Sequence, residues 1–216
     1  PITEDASSSH LPFTEGFLSQ NLGFMHACGH DGHTAIGLIV ARILTEMTDW
    51  LSGTVKLIFQ PAEEGVRGAR SVAQKGHLND VDWLVGSHIF PYSQPGEQIG
   101  VSIGPTLATT KLNAVFSGLS SHAALPEKGH NAMLSMASAI LNLHAIPRHS
   151  DGPSQVNVGT AHAGSGRNVI CDQAKLELEV RGANTEINHY MEEYARVILQ
   201  SSAAMHSCTC RIETVG

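Results

Sequence analysis

The sequence predicts an α/β protein in two parts: an incomplete, mostly parallel sheet with its helices over residues 1–105, and a β-α-β-β-α-β sandwich over residues 106–216. Three observations lead there. Helix-period and strand-like apolar runs alternate through the first half. From about Thr106 the pattern restarts and yields six elements in the order of a split β-α-β unit. Finally, 216 residues with 42% hydrophobic and 15% charged side chains suffice for a substantial core.

In chain order, residues 1–24 are rich in serine, proline and glycine and lack periodicity, so they read as loop. "HTAIGLIVARILTEM" (33–47) sets Ile36, Ile39, Val40, Ile43, Leu44 and Met47 at helical spacing, which predicts a core-facing helix. "GTVKLIFQ" (53–60) and "VDWLVGSHI" (81–89) are apolar and β-branched, as buried strands are. Between them "VRGARSVAQKG" (66–76) suits a short helix closed by Gly76. Two strands are too few for a sheet, hence the incomplete first part. In the second part "TTKLNAVFSG" reads as a strand and "GHNAMLSMASAILNLHAI" as a helix stopped by Pro147. "QVNVGTAHAG" and "AKLELEVRGA" are strands around a glycine-rich turn, "TEINHYMEEYARVILQSSAAMH" is a helix, and "CTCRIETV" is the last strand. That order is ferredoxin-like.

The charge balance is acidic, with 13 Lys and Arg against 20 Asp and Glu and a net charge of -7. Without a basic cluster, neither nucleic acid nor an anionic membrane surface is an expected partner. No apolar run approaches the roughly 18 residues of a membrane span, and no signal-peptide pattern opens the chain. Cys28, Cys171, Cys208 and Cys210 have no framework spacing, which suits free thiols in a reducing cytoplasm. The 13 histidines require a reason.

Part of that reason lies in "MHACGHDGHTA" (25–35). Cys28 and His30 stand two apart, so an extended backbone would direct both to one face. Thiolate and imidazole both ligate borderline divalent ions such as zinc. The same residues also suit a polar loop ahead of the helix, with Asp31 as its N-cap. "FQPAEEG" (59–65) places Glu63 and Glu64 side by side after a strand, where one carboxylate could bind metal and the other polarise water. They equally suit the acidic first turn of the next helix. "VGSHIF" puts His88 at the end of the other strand, where a lone histidine is usually structural. Three such clusters on one sheet edge together point to a metal site. In the second part, "GLSSHAALPEKGHNA" presents His122 ahead of a helix that Asn131 begins, "GSGRNVI" presents Asn168 in a turn, and "LEVRGA" ends a strand with Arg181. An arginine and an amide suit a substrate carboxylate, while turn formation and a surface ion pair are the plain alternatives.

"MHACGHDGHTA", "IFQPAEEG" and "SHAALPEKGHNA", in that order, resemble the aminoacylase and glutamate carboxypeptidase family of metallopeptidases, in its amidohydrolase branch. The resemblance covers essentially the whole chain. It implies a catalytic domain holding two divalent metal ions, Zn or Mn, interrupted by a smaller lid and dimerisation domain. By that resemblance Cys28 bridges the metals, His30, Glu64 and His88 are further ligands, and Glu63 is the general base. His122 would contact the scissile carbonyl, in a partner subunit's site, and Asn168 and Arg181 would hold the substrate carboxylate. The implied activity is hydrolysis of the amide of a small N-acyl amino acid, foremost p-aminobenzoyl-glutamate to p-aminobenzoate and glutamate. A homodimer through the lid is implied, with room for a second kind of subunit.

The family supplies strands before this segment, and a last histidine ligand after it, that are not in it. The chain, which starts at Pro1 and ends on "CRIETVG", is therefore expected to be the middle of a longer protein. Beside this reading stand an amidohydrolase for hippurate or an indole-acyl conjugate, a silent binding or dimerisation module, and a thiol enzyme with Cys28 as nucleophile.

Overall fold

The computed structural model describes residues 10–21, 23–65, 67–89 and 106–216. The loop reading of residues 1–9 and 22, the first residue of the expected 66–76 helix, and the end of the first part up to 105 lie outside the described residues. The described residues gather into two compact units, residues 10–61 with 72–89, and residues 62–71 with 106–216.

In the first unit, helix α1 (Leu11–Thr14) stands where loop was expected. Pro12 lies in its first turn, where a missing N–H costs nothing. Helix α2 (His30–Glu46) forms where the apolar period placed one, followed by a 3-10 turn at Thr48–Trp50. Its expected core face is nevertheless open. Ile36, Ile39, Val40, Ile43 and Met47 are exposed, Ile39 by 60%. The two expected buried strands are also corrected. Residues 53–60 and 81–89 form no ladder with any described segment, and Val55, Leu57, Phe59, Trp83, Leu84 and Val85 are exposed. The mostly parallel sheet is thus not formed among the described residues. The reason is common to helix and strands. An apolar run shows that a segment suits an interior, but only a second layer buries it, and only neighbouring backbones make it a strand.

The short helix expected between these segments is α3 (Gly68–Gln74). Gly76, at φ 76°, takes the left-handed conformation that ends helices at low cost.

The second unit is a mixed α/β structure with antiparallel strands. Strand β1 (Ala108–Ser117) leads through the two-residue β2 (Ser121–His122) to helix α4 (Ala132–His144). Strands β3 (Ser154–Ala163), β4 (Val169–Ile170) and β5 (Gln173–Gly182) follow, then helix α5 (Thr185–Met205) and strand β6 (Thr209–Thr214). The four long strands lie in the order β3-β5-β1-β6, with every neighbour antiparallel, and β2 pairs with β4.

Period-two alternation divides the sheet into two faces. Leu112, Ala114 and Phe116 of β1 and Ala174, Leu176, Leu178 and Val180 of β5 are buried. They meet Ala139 and Leu143 of α4 and Met191, Ala195 and Leu199 of α5 in one core. Each of the larger side chains contributes about 1.5–3 kcal/mol by leaving water. Asn131 and Asn184 cap the two helices, their side-chain oxygens accepting from Met133 N at 3.0 Å and Ile187 N at 2.9 Å. Within this core, burial pushes the Cys210 thiol up to about 11, so it stays protonated at neutral pH. The odd-numbered residues of β5, from Gln173 to Arg181, face away from the core. No helix among the described residues is long and apolar enough to cross a membrane.

Close packing of β5 onto the start of α5 depends on Gly182. A Cβ there would lie 2.6 Å from the Ile187 carbonyl carbon and closer still to Asn188 N, both backbone atoms that cannot rotate away. Gly182→Ala should therefore lose about 1–3 kcal/mol, or fail to fold. Gly159→Ala, whose Cβ would meet nothing nearer than 3.7 Å, should stay within about 0.5 kcal/mol. Urea denaturation midpoints compare the two, and equal losses would show that Gly182 is not a packing position.

Candidate active site

The first functional residues meet at the start of α2. Gly29, at φ 73°, is the residue before the helix, and Cys28 and His30 flank it. That left-handed turn, rather than an extended run, brings the two side chains together. Asp31 is not the N-cap. Gly29 occupies that position, and Asp31 lies in the first turn, where a carboxylate complements the helix dipole.

Gly29, His33 and Gly37 are spaced four apart and form one stripe along this helix. Two later segments come to rest on it. A Cβ on Gly32 would lie 2.6 Å from Ile89 Cδ1, one on Gly29 3.4 Å from Ile89 Cβ, and one on Gly37 3.4 Å from the Phe59 ring. The Ile89 backbone N–H donates to His33 Nε2 at 2.7 Å. This seating delivers His88, whose Nε2 lies 3.5 Å from Cys28 Sγ. The His88 ring centroid is 4.5 Å from that of His33 and 6.0 Å from that of His30.

One ligand atom from each of Cys28, His30 and His88 lies within 4.8 Å of the others. Donors at 2.0–2.3 Å from a tetrahedral ion stand roughly 3.3–3.8 Å apart, so a thiolate and two imidazoles gathered this closely are a candidate set for one divalent ion once the side chains draw in. His88 Nδ1 is 2.6 Å from its neighbour's carbonyl, Ile89 O, and donates to it. Nε2 is then the atom with a free lone pair, the arrangement that orients a metal-binding histidine.

His33 is the residue that sequence reasoning left without a role. Burial, then the nearby His88 and His30, hold its pKa below the ordinary histidine value against the pull of Asp31. The neutral ring can accept the Ile89 N–H, so His33 positions the His88 segment. Its three-residue spacing from His30 on a helical pattern was the available signal.

Glu63 and Glu64 belong to the second unit. They occupy a 3-10 turn, Glu63–Gly65, of their own, ahead of α3 rather than in its first turn. Ala62 before them has φ 52°, a strained conformation for a residue with a Cβ. Lys111 Nζ donates to the Glu64 carbonyl oxygen.

His122 pairs with Val169 across β2 and β4, and Ala123 N donates to Asn168 O at 2.9 Å, so His122 and Asn168 are neighbours. Ala124 N donates to His122 Nδ1 at 3.1 Å. A neutral His122 therefore carries its proton on Nε2 and presents an exposed donor. Arg181 is elsewhere. Asn168 lies before the Gln173 end of β5, and Arg181 is eight residues along that strand, roughly 26 Å from Gln173. Within one chain the length of β5 thus stands between Arg181 and the Asn168 turn. Arg181 instead pairs with Glu179 at 2.8 Å, the surface ion pair that was its plain alternative.

The model of peptidase family M20/M25/M40 matches residues 1–213. The chain is 47% identical over its whole length to one of the subunits of the p-aminobenzoyl-glutamate hydrolase of Escherichia coli (strain K12), covering 49% of that protein. It is 46% identical over its whole length to the indole-3-acetyl-aspartic acid hydrolase of Enterobacter agglomerans, again covering 49%. Among solved structures, a dinuclear metal binding peptidase of the M20 family from Bacillus subtilis matches with a TM-score of 0.63 at 32% identity. That match covers 92% of this chain and 51% of the other. The chain spans about half the length of the curated relatives it matches.

Cobalt(II) reports on a thiolate ligand by a sulfur-to-metal charge-transfer band. The full-length protein loaded with cobalt should show that band, and Cys28→Ser should lose it; a wild-type protein without it would remove Cys28 from the metal. His33→Ala should weaken metal binding by roughly 10–100-fold while keeping the band, because it loosens the His88 segment without removing a ligand.

Proposed function

The chain belongs to peptidase family M20/M25/M40, and on that premise we propose that it carries much of the site of a metal-dependent amidohydrolase for N-acyl amino acids. The gathering of Cys28, His30 and His88 donor atoms, in a chain of this family, is the observation that supports it most. In this reading those three residues and Glu64 would hold two divalent ions. Thiolate and imidazole favour zinc, and the carboxylates admit manganese. The similarity to a dinuclear metal binding peptidase supports the count of two.

When bound, such ions acidify a water and polarise the scissile carbonyl. Glu63 takes one proton from that water as its oxygen attacks the carbonyl carbon. His122, with its proton on Nε2, donates to the oxygen on which negative charge develops. Glu63 then passes its proton to the departing nitrogen as the C–N bond breaks, leaving a carboxylic acid and an amine. Arg181 and Asn168 hold the carboxylate of the amino-acid half.

Because Arg181 and the His122–Asn168 pair lie at opposite ends of β5, a substrate touching both draws them from two chains. We therefore read the second unit as a ferredoxin-like lid that also forms a two-fold homodimer. Its sheet edges, β3 and β6, are free of proline, and Val197 of α5 is exposed, features that suit a self-pairing surface. A further kind of subunit is compatible with the Escherichia coli relative, which by its name is one subunit of a hydrolase.

The favoured substrate is p-aminobenzoyl-glutamate. An indole-3-acetyl conjugate is the second reading, supported by a relative of almost equal identity. A panel of both, with hippurate, assayed on the full-length metal-loaded protein, separates them by kcat/KM. Failure to cleave any N-acyl amino acid would reject the hydrolase reading.

Glu63→Gln in that protein should keep its metal while kcat falls by at least roughly 10²-fold. Loss of metal with kcat preserved on reconstitution would exchange the roles of Glu63 and Glu64. Inactive Glu63→Gln and His122→Ala proteins should regain activity when mixed and allowed to exchange subunits, since a mixed dimer has one site with neither change. Continued inactivity after demonstrated exchange would place His122 in its own chain's site or outside catalysis.

A further inference from the structure

On the open face of the second unit's sheet lies a cleft of about 300 Å³ that holds two arginines, Arg148 and Arg181. Ser154, Gln155 and Asn157 of β3 and Glu179 of β5 add polar walls, Gln155 and Asn157 standing in register opposite Arg181 and Glu179. Glu179 already meets Arg181 through Nε and Nη2, both at 2.8 Å. Arg181 therefore keeps one guanidinium edge for a ligand. Arg148 has no ion pair or hydrogen bond among the described residues. With two guanidiniums and one carboxylate, the cleft is net cationic.

Arg148 is exposed, yet the loop that carries it is pinned on both sides. Tyr190 donates from its hydroxyl to Pro147 O at 3.0 Å, and His149 N donates to Ser154 Oγ at 2.9 Å. The His149 and Tyr190 rings stack edge to face at 5.1 Å, and Ala183 N donates to Pro153 O at 2.8 Å. A long cation on a held backbone, beside a second arginine and two side-chain amides, is an arrangement that recognises separated negative charges. Glu179 disfavours a compact multivalent anion such as phosphate, which would concentrate its charge against that carboxylate.

We propose that Arg148 is a specificity-determining residue that, with Arg181, seats a dicarboxylate, the acidic amino-acid half of an N-acyl substrate. Arg181 takes one carboxylate and Arg148 the other. This rests on the hydrolase reading above for the reaction, and adds to it a requirement for an acidic rather than a neutral amino acid.

The full-length, metal-loaded enzyme is assayed with p-aminobenzoyl-glutamate and with its neutral counterpart p-aminobenzoyl-glutamine. Arg148→Gln should lower kcat/KM for the glutamate compound by about 10-fold or more, chiefly through KM, and change the glutamine compound by less than about 2-fold. Arg148→Lys, which keeps the charge and loses the fork, should fall between. Binding of glutarate, followed by calorimetry, should weaken about 5-fold or more in Arg148→Gln, with inorganic phosphate binding weakly to both proteins. Equal effects on the two substrates, or unchanged glutarate binding, would overturn the role of Arg148. Phosphate bound as tightly as glutarate would overturn the dicarboxylate. If wild type cleaves neither substrate, the hydrolase reading falls, and glutarate binding still decides the cleft.

Discussion

The hydrogen bond from the Ile89 N–H to His33 Nε2 is the contact on which the candidate metal centre depends. His88 lies 60 positions from Cys28 in the chain, and nothing local holds them together. The bond anchors the backbone next to His88 to the helix that begins at His30, and glycines at 29 and 32 leave room for the Ile89 side chain. Its geometry also selects protonation. His33 accepts at Nε2, and His88 donates from Nδ1 to Ile89 O, which leaves His88 Nε2 for Cys28 or an ion. Three residues of the motif "CGHDGH" thus serve the site without binding metal: Gly29 by its φ, Gly32 by its missing side chain and His33 by its ring.

The two units solve different problems. The second is self-sufficient in packing, since alternating residues on β1 and β5 meet two amphipathic helices in a closed core. Its other sheet face is then available for charged side chains that do not contribute to the core. Lys175, Glu177, Glu179 and Arg181 occupy that face of β5 as two ion pairs of exposed or half-exposed groups. Such pairs add little stability, so their residues can be committed to a ligand at small cost. The first unit gathers the candidate metal donors but leaves the apolar side of α2 exposed.

Opposite ends of one strand also constrain any mechanism. β5 is held between two partners, pairing with β1 from Gln173 to Gly182 and with β3 from Ala174 to Gly182. The separation of Arg181 from His122 and Asn168 is therefore a property of the sheet and not of a loop that could close. The proposed mechanism, which uses all three, therefore takes them from two chains.

Much of this was legible in the sequence, for a definite reason. In the second unit, strands and helices are amphipathic and pack against one another, so period-two and helical patterns locate all six long elements, and Asn131 is recognisable as a cap. Cys28, His30 and His88 were recognisable as candidate metal donors because thiolate and imidazole have few other uses in such a cluster, and the structure gathers their donor atoms. Tertiary structure alone decided the rest. The apolar runs at 53–60 and 81–89 lacked strand partners among the described residues, since pairing depends on neighbours that a pattern cannot supply. His33 became a positioning group through a bond to a residue 56 positions away, and Arg148 joined Arg181 because a pinned loop returns beside β5. Local sequence sets what a residue can do chemically; chain folding over long separations sets which residue it does it with.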